Sequence, residues 1–153
     1  MSSRPLPSSI QSVTAHLIVR DASSAIAFYT RAFGARELYR LVEPGGKVGH
    51  AELMIGNSRL QISDEYPDFG ALGAATIGGS PIKLLIYVDD ADAVMRQALA
   101  AGATELRPVK NQFHGDRSGL VLDPFGLSWF IATPVEDVSP DEMQRRFSAA
   151  LVP

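Results

Sequence analysis

The order of apolar and polar positions predicts a strand, a helix and three further strands in the first half of the chain. Residues 13–19 are β-branched and apolar enough for a strand. Asp21 is placed to cap a helix over residues 22–33, where apolar side chains recur at helical spacing, and Gly34 suits its left-handed end. The remaining strands are predicted near residues 37–42, 48–55 and 60–62, with a hairpin turn at Gly56-Asn57.

The second half repeats this order. Asp90 follows Asp21 by 69 positions and again precedes a helical pattern, which Gly102 closes as Gly34 closes the first. Strands are predicted near residues 82–88, 104–108, 118–122 and 128–133, with a turn at residues 123–126. Because an internal duplication of this length fixes the architecture, we predict an α+β fold of two tandem βαβββ modules.

The segments outside the modules have turn-rich or helical patterns. Residues 66–81 are rich in Gly and Ala and poor in charge, which is typical of a flexible linker. Ser139, Pro140 and Glu142 form a capping box that opens a short helix over residues 139–147. The predicted division is a flexible arm 1–11, a single domain 12–147 with modules at about 12–65 and 82–134, and a C-terminal extension 135–153.

Composition and charge exclude several classes of function. Hydrophobic residues make up 46% and charged residues 20% of the 153 residues, which is typical of a globular domain. The net charge is −3 and basic residues are scattered, so we expect no nucleic-acid partner. There is no cysteine and no apolar run long enough to cross a membrane. We therefore expect a cytoplasmic protein without a membrane or nucleic-acid partner.

Four motifs resemble a known superfamily. The helix end Ala32-Phe33-Gly34-Ala35 and the late turn 123–126 followed by Trp129 resemble the glyoxalase, bleomycin resistance and extradiol dioxygenase proteins, also called the vicinal oxygen chelate superfamily. The stretch Gln112–Arg117 and the tail 135–140 resemble its phosphonate-operon-protein-like branch. The resemblance implies two curved mixed sheets around a cavity and a homodimer, in which modules are sometimes exchanged.

Strand alternation assigns side chains to the cavity, because successive residues of a strand point to opposite faces. Trp129 is expected to point away from the cavity, into the core. The loop after the sixth strand is expected at the cavity rim, where Arg117 either clamps an anionic group of a ligand or holds the loop in place. The predicted ligand-binding residues are His16, His50, Glu52, Met54, Gln61, Tyr87, Phe113, His114, Arg117 and Phe130.

The resemblance also implies four positions for metal ligands, early in the first strand and on the last strand of each module. Counting from the helix caps and hairpins places these positions at Thr14, Gln61, Lys83 and Phe130. Lysine is cationic at neutral pH and phenylalanine has no donor atom, so the set does not suit a divalent ion. We therefore predict no metal cofactor.

Two alternatives to this prediction remain open. His16, His50 and Glu52 are predicted to face the cavity together, so they could hold a displaced divalent metal. The same residues could instead be catalytic without a metal, as a general acid/base pair of carboxylate and imidazole. The interpretation without metal or catalysis is that the three residues are hydrogen-bonded polar groups of the cavity wall.

The leading functional hypothesis is a homodimer that binds a small, partly aromatic or hydrophobic molecule in the inter-module cavity, without a catalytic metal. The alternative is a glyoxalase- or dioxygenase-like enzyme that uses the displaced site. A third interpretation is a partner-binding module in which the cavity is vestigial and the C-terminal helix is the contact surface.

Overall fold

The long helix of each half begins where a carboxylate caps it. In the computed structural model, which describes residues 4–152, the Asp21 side chain accepts a hydrogen bond from the Ser24 amide at 3.1 Å, and Asp90 does the same for Ala93 at 3.1 Å. Gly34 ends the first helix with φ at 69°, in the left-handed region. Both predicted caps are confirmed.

The elements follow the predicted order in two modules. Module 1 contains β1 (His16–Val19), α1 (Ala22–Phe33), β2 (Arg36–Val42), β3 (Val48–Ile55) and β4 (Ser58–Asp64). Module 2 contains β5 (Leu84–Tyr87), α3 (Ala91–Ala101), β6 (Thr104–Asn111), β7 (Asp116–Leu122) and β8 (Ser128–Pro134). A short helix α2 (Ala74–Ile77) lies between the modules, and α4 (Pro140–Ala150) follows them.

The two modules form two four-stranded mixed sheets of identical topology. Their strand orders are β1-β4-β3-β2 and β5-β8-β7-β6, and in each sheet only the first strand pairs in parallel. This is the predicted α+β fold of tandem βαβββ modules with a short C-terminal helix. Helices α1 and α3 pack against each other, so they form the main contact between the modules.

The core lies between each sheet and its helix. Leu17, Val19, Leu53 and Ile62 are buried beneath α1, as strand alternation predicts, and Trp129 is buried as predicted in module 2. We call the opposite sheet surface, away from the helices, the open face of each module. Within residues 4–152, no helix combines the length and the apolar character needed to cross a membrane.

Several element boundaries differ from the sequence prediction. The linker contains a 3-10 turn (Pro67–Phe69) and α2, so it is partly helical. Strand β6 continues past Pro108 because it is an edge strand with a register shift between Arg107 and Lys110, where a missing amide is tolerated. Helix α4 extends to Ala150. Residues 1–3 of the predicted arm, and Pro153, lie outside the described residues.

Candidate functional site

On module 1, one row of polar side chains crosses the open face. The strand register aligns His16 with Gln61, Gln61 with Glu52, and Glu52 with Tyr39. Aligned residues of neighbouring strands share a sheet face. The register therefore brings together three of the predicted binding residues, His16, Gln61 and Glu52. Tyr39 is not among the predicted residues, because the pairing between β2 and β3 is not visible in the sequence.

The two histidines of this face are held by hydroxyl and amide groups. Nδ1 of His16 lies 3.2 Å from the Gln61 side-chain oxygen, and Nε2 lies 3.1 Å from the Ser63 hydroxyl. Nε2 of His50 lies 3.1 Å from the Tyr39 hydroxyl, and the two imidazole rings are 5.6 Å apart between centroids. Both ring nitrogens of His16 and Nε2 of His50 thus already have partners within the sheet.

Glu52 is linked to Arg59 and, through the Tyr39 hydroxyl, to His50. Its carboxylate accepts hydrogen bonds from Arg59 at 2.8 Å and from the Tyr39 hydroxyl at 3.1 Å. The bond from Arg59, with a smaller contribution from Tyr39, holds the pKa of Glu52 below its usual value. Within residues 4–152 the Glu52 carboxylate forms no hydrogen bond to an imidazole, and the Tyr39 hydroxyl lies between it and His50, so the direct acid/base pair with a histidine is not formed.

The register also corrects two of the four positions assigned to metal ligands. Thr14 precedes β1, and the first-strand residue beside Gln61 is His16. In module 2 the residue beside Phe130 is Leu85 rather than Lys83. The duplication supports this assignment, because His16 and Leu85, and Gln61 and Phe130, are each 69 positions apart.

The corrected set does not fit a divalent metal ion. Leu85 and Phe130 have no donor atom, so module 2 supplies no ligand at these positions. The displaced arrangement of His16, His50 and Glu52 does not converge either, and across residues 4–152 no three His, Asp or Glu side chains form a group that could hold an ion.

On module 2, the open face carries a cavity of about 650 Å³. The register aligns Leu85 with Phe130, Phe130 with Leu120, and Leu120 with Arg107, so one row of this face is largely apolar. We call this space the module 2 cavity; it is lined by Leu85, Arg107, Pro108, Lys110, Gln112, Phe113, His114, Asp116, Ser118, Gly119, Phe130 and Ala132. Phe113, His114 and Phe130 are thus brought together.

The rim of the module 2 cavity is tied to β5 and β7. The Tyr87 hydroxyl donates a hydrogen bond to Asp116 at 2.9 Å, and Nδ1 of His114 lies 3.8 Å from the same carboxylate. The bond to Asp116, together with burial, raises the pKa of Tyr87 above its usual value. Tyr87 therefore remains a neutral hydrogen-bond donor beside this cavity.

Arg117 lies away from the module 2 cavity. It belongs to β7 rather than to the preceding loop, and its guanidinium binds both carboxylate oxygens of Asp92 in α3, at 2.7 and 3.0 Å. Its side chain points to the helix side because Asp116, the preceding residue, occupies the open face. Arg117 is thus placed to hold β7 on α3, and the ligand clamp considered from the sequence has no geometric support.

The sequence analysis expects the binding residues, Met54 among them, to line one cavity between the modules, and the structure differs from this. Met54 is half-buried on β3, aligned with Arg59. A groove of about 980 Å³ lies between the modules, but it is lined mainly by residues of the helix side, including Phe33, Ile86 and Trp129. Among the predicted binding residues only Tyr87 lines this groove. Apart from Arg117, the predicted set is therefore divided between the two open faces.

Proteins similar to this chain in sequence or in structure match most of its length. The Mycobacterium tuberculosis protein Rv0887c is 41% identical over 137 residues, which is 88% of this chain and 81% of that protein. The Arabidopsis thaliana At5g48480 product has a solved structure with a TM-score of 0.65 and 28% identity, covering 80% of this chain and 98% of that one.

Further solved structures share the fold. TioX from Micromonospora sp. ML1 has a TM-score of 0.65 and 26% identity, over 82% of this chain and 99% of that one. The PhnB protein of Bacillus cereus has a TM-score of 0.62 at 22% identity, over 80% and 99%, which is a likeness of fold. The model of the Glyoxalase/Bleomycin resistance protein/Dioxygenase superfamily matches residues 9–131, and the chain therefore belongs to that superfamily.

Proposed function

We propose that this protein binds a small, partly aromatic or hydrophobic molecule in the module 2 cavity and does so without a catalytic metal. The observation that carries the proposal is the cavity of about 650 Å³ with Leu85, Phe113 and Phe130 in its wall. Ligand sites typically measure about 300–1,000 Å³ and combine an apolar lining with a few polar groups. Here Asp116, His114 and Ser118 supply the polar groups.

The assembly we propose is a homodimer. Leu85 and Tyr87 are 49% and 58% exposed on the open face of module 2, and Leu41 is 61% exposed on the edge strand β2 of module 1. Apolar side chains grouped on an open sheet face and edge favour association. A second copy that covers these surfaces would also deepen the module 2 cavity.

We also propose that the chain falls in the phosphonate-operon-protein-like branch of the superfamily. The stretch Gln112–Arg117, which supplies the rim of the module 2 cavity, and the likeness of fold to the PhnB protein support this assignment.

Binding of the neutral fluorescent probe N-phenyl-1-naphthylamine tests the ligand site. We expect saturable binding that Phe130→Ala weakens about tenfold, because a buried aromatic contact is removed. Phe69→Ala is the control, since the Phe69 ring is 86% exposed in the linker. Absence of saturable binding, or equal binding by the Phe130→Ala variant, would contradict the proposal.

Metal analysis tests the second part of the proposal. Protein purified without chelators is expected to contain less than stoichiometric Zn, Ni, Mn or Fe, because module 2 offers Leu85 and Phe130 where ligands are required. Stoichiometric metal that is lost in a His16→Ala variant would overturn the metal-free assignment.

A further inference from the structure

Two basic side chains lie in the wall of the module 2 cavity. Arg107 and Lys110 both line it, and both belong to the edge strand β6. Within residues 4–152, neither side chain has a carboxylate oxygen within ion-pair distance, whereas Arg40, Arg59, Arg117, Arg145 and Arg146 all do. The cavity wall therefore holds two cations that form no ion pair with a carboxylate of residues 4–152.

The strand register directs both cations to the open face. Arg107 aligns with Leu120, which aligns with Phe130, and Lys110 aligns with Ser118, which aligns with Ala132. Arg107 is therefore two strands from Phe130, a separation of about 10 Å between the backbones. A molecule with an aromatic ring against Phe130 would extend towards these cations.

The acidic group of the cavity is already engaged. Asp116 accepts the hydrogen bond of Tyr87 at 2.9 Å and lies beside His114, on the side of the cavity formed by the rim loop. The positive groups thus lie along β6, and the negative group lies at the start of β7. Because Lys110 aligns with Ser118, two residues beyond Asp116 on the same face, Lys110 is a diagonal neighbour of this carboxylate and Arg107 lies farther from it. With Arg107 and Lys110 against the single carboxylate of Asp116, the cavity wall keeps a net positive charge.

We infer that the module 2 cavity selects ligands that carry an anionic group, a carboxylate or a phosphate, next to their aromatic part. This inference rests on the proposed function, because it specifies the ligand of that same site. Arg107 provides a planar guanidinium that can bind two oxygens of an anion, and Lys110 adds a second positive charge. Phe113 and Phe130 would contact the ring.

Three matched probes test the inference by isothermal titration calorimetry. They are 2-naphthoate, its neutral amide 2-naphthamide, and 2-naphthyl phosphate, which share one ring system and differ in charge. We expect both anions to bind more tightly than the amide, by about threefold or more, since each partly exposed ion pair contributes modestly. Raising the salt concentration to about 0.5 M should weaken the binding of the anions and leave that of the amide unchanged.

The double variant Arg107→Gln, Lys110→Gln should remove the preference for the anions while it retains the binding of 2-naphthamide. The double variant Arg4→Gln, Lys83→Gln is the charge-matched control, because both residues are exposed and neither lines the module 2 cavity. A preference for the carboxylate over the phosphate, or the reverse, would support the inference and identify the anion.

One result would contradict the selection of anions, and another would contradict the proposed binding function. Equal binding of all three probes, unchanged in the double variant, would overturn the selection of anions and leave the binding site in place. Failure of all three probes to bind, together with failure of N-phenyl-1-naphthylamine, would overturn the proposed function itself.

Discussion

At Asp64, one buried carboxylate accepts hydrogen bonds from the amides of Ala22 and Val48, both at 2.7 Å. The same place in module 2 holds Thr133, 69 positions later, whose hydroxyl accepts a hydrogen bond from the Ala91 amide at 2.8 Å and donates one to the Val88 carbonyl. Two different side chains thus satisfy the first turn of the equivalent helices α1 and α3.

Replacing Asp64 by Ala is expected to lower the free energy of unfolding by about 2–4 kcal/mol, since two buried amides lose their acceptor. Thr133→Ala should cost less, about 1–2 kcal/mol, because it leaves one amide unpaired. Urea unfolding of both variants measures the difference. Equal effects would show that the two positions are not organised as the structure describes.

Asp123 has a similar role between the modules. It is 3% exposed and accepts hydrogen bonds from the Tyr29 hydroxyl at 2.5 Å, the Trp129 indole at 2.9 Å and the amides of Phe125 and Leu127 at 2.8 and 3.0 Å. Burial, and then the negative charge of Asp123, raise the pKa of Tyr29 well above its usual value.

The raised pKa of Tyr29 predicts a loss of stability in alkaline solution. Above about pH 10 the unfolded chain releases the tyrosine proton and the folded chain retains it, so the free energy of unfolding falls by about 1.4 kcal/mol per pH unit until Tyr29 ionises in the folded state. The Tyr29→Phe variant should lose this part of the pH dependence of the free energy of unfolding. The Tyr39→Phe variant, which changes an exposed residue, should change that pH dependence much less. Denaturant unfolding between about pH 8 and 11 measures it.

The C-terminal helix α4 is attached to the rim of the module 2 cavity. Arg146 donates hydrogen bonds to the Phe113 carbonyl at 2.9 Å and to Glu136 at 2.7 Å, and the Phe113 and Phe147 rings are 5.8 Å apart. Gly115 lies against the segment before α4 so closely that an added Cβ would be 2.3 Å from the Glu136 carbonyl oxygen. The tail and the rim loop therefore form one packed unit.

Arg146→Ala is expected to loosen the rim loop and to weaken the binding of 2-naphthoate about two- to fivefold, with a change of less than about 1 kcal/mol in global stability. Hydrogen exchange of residues 112–116 measures the loosening. Arg145→Ala is the matched control, because Arg145 is exposed and contacts only the neighbouring Glu142. An identical exchange pattern in both variants would argue against this attachment.

This attachment should persist in mild acid. The hydrogen bond from Arg146 holds the pKa of Glu136 below its usual value. The pKa is depressed in the folded state, so the stabilising contribution is present above the ordinary carboxyl range and is lost as the pH falls through the lowered pKa.

At the scale of the whole molecule, the proposed homodimer would cover the exposed apolar side chains of the open faces. Sedimentation equilibrium at micromolar concentration is expected to give twice the chain mass of 16.4 kDa. Leu41→Glu should shift the equilibrium towards the monomer, because it places a charge on the exposed edge of β2. A wild-type monomer at all accessible concentrations would refute the proposed homodimer.

The sequence predicts the order of the elements well because caps and periodicity are local. The N-caps at Asp21 and Asp90 and the burial of Trp129 are confirmed. Register is not local: a strand that begins at His16 rather than Val13 moves the position beside Gln61 from Thr14 to His16. For the same reason the sequence does not predict which sheet face the side chains of Arg117, Arg107 and Lys110 occupy. The start of β7 and the shifted register of β6 are set by pairing across the sheet.

The hydrogen bond between Tyr29 and Asp123 makes the two modules depend on each other. The positions corresponding to Tyr29 and Asp123 in the other copy hold no equivalent pair: α3 instead sends Gln97 to the carbonyls of Arg31 and Ala32, at 2.7 and 3.2 Å. Each half thus relies on groups that only the other half supplies. Cutting the gene at Gly78-Gly79 should therefore yield two fragments that fold when they are produced together and fail to fold separately.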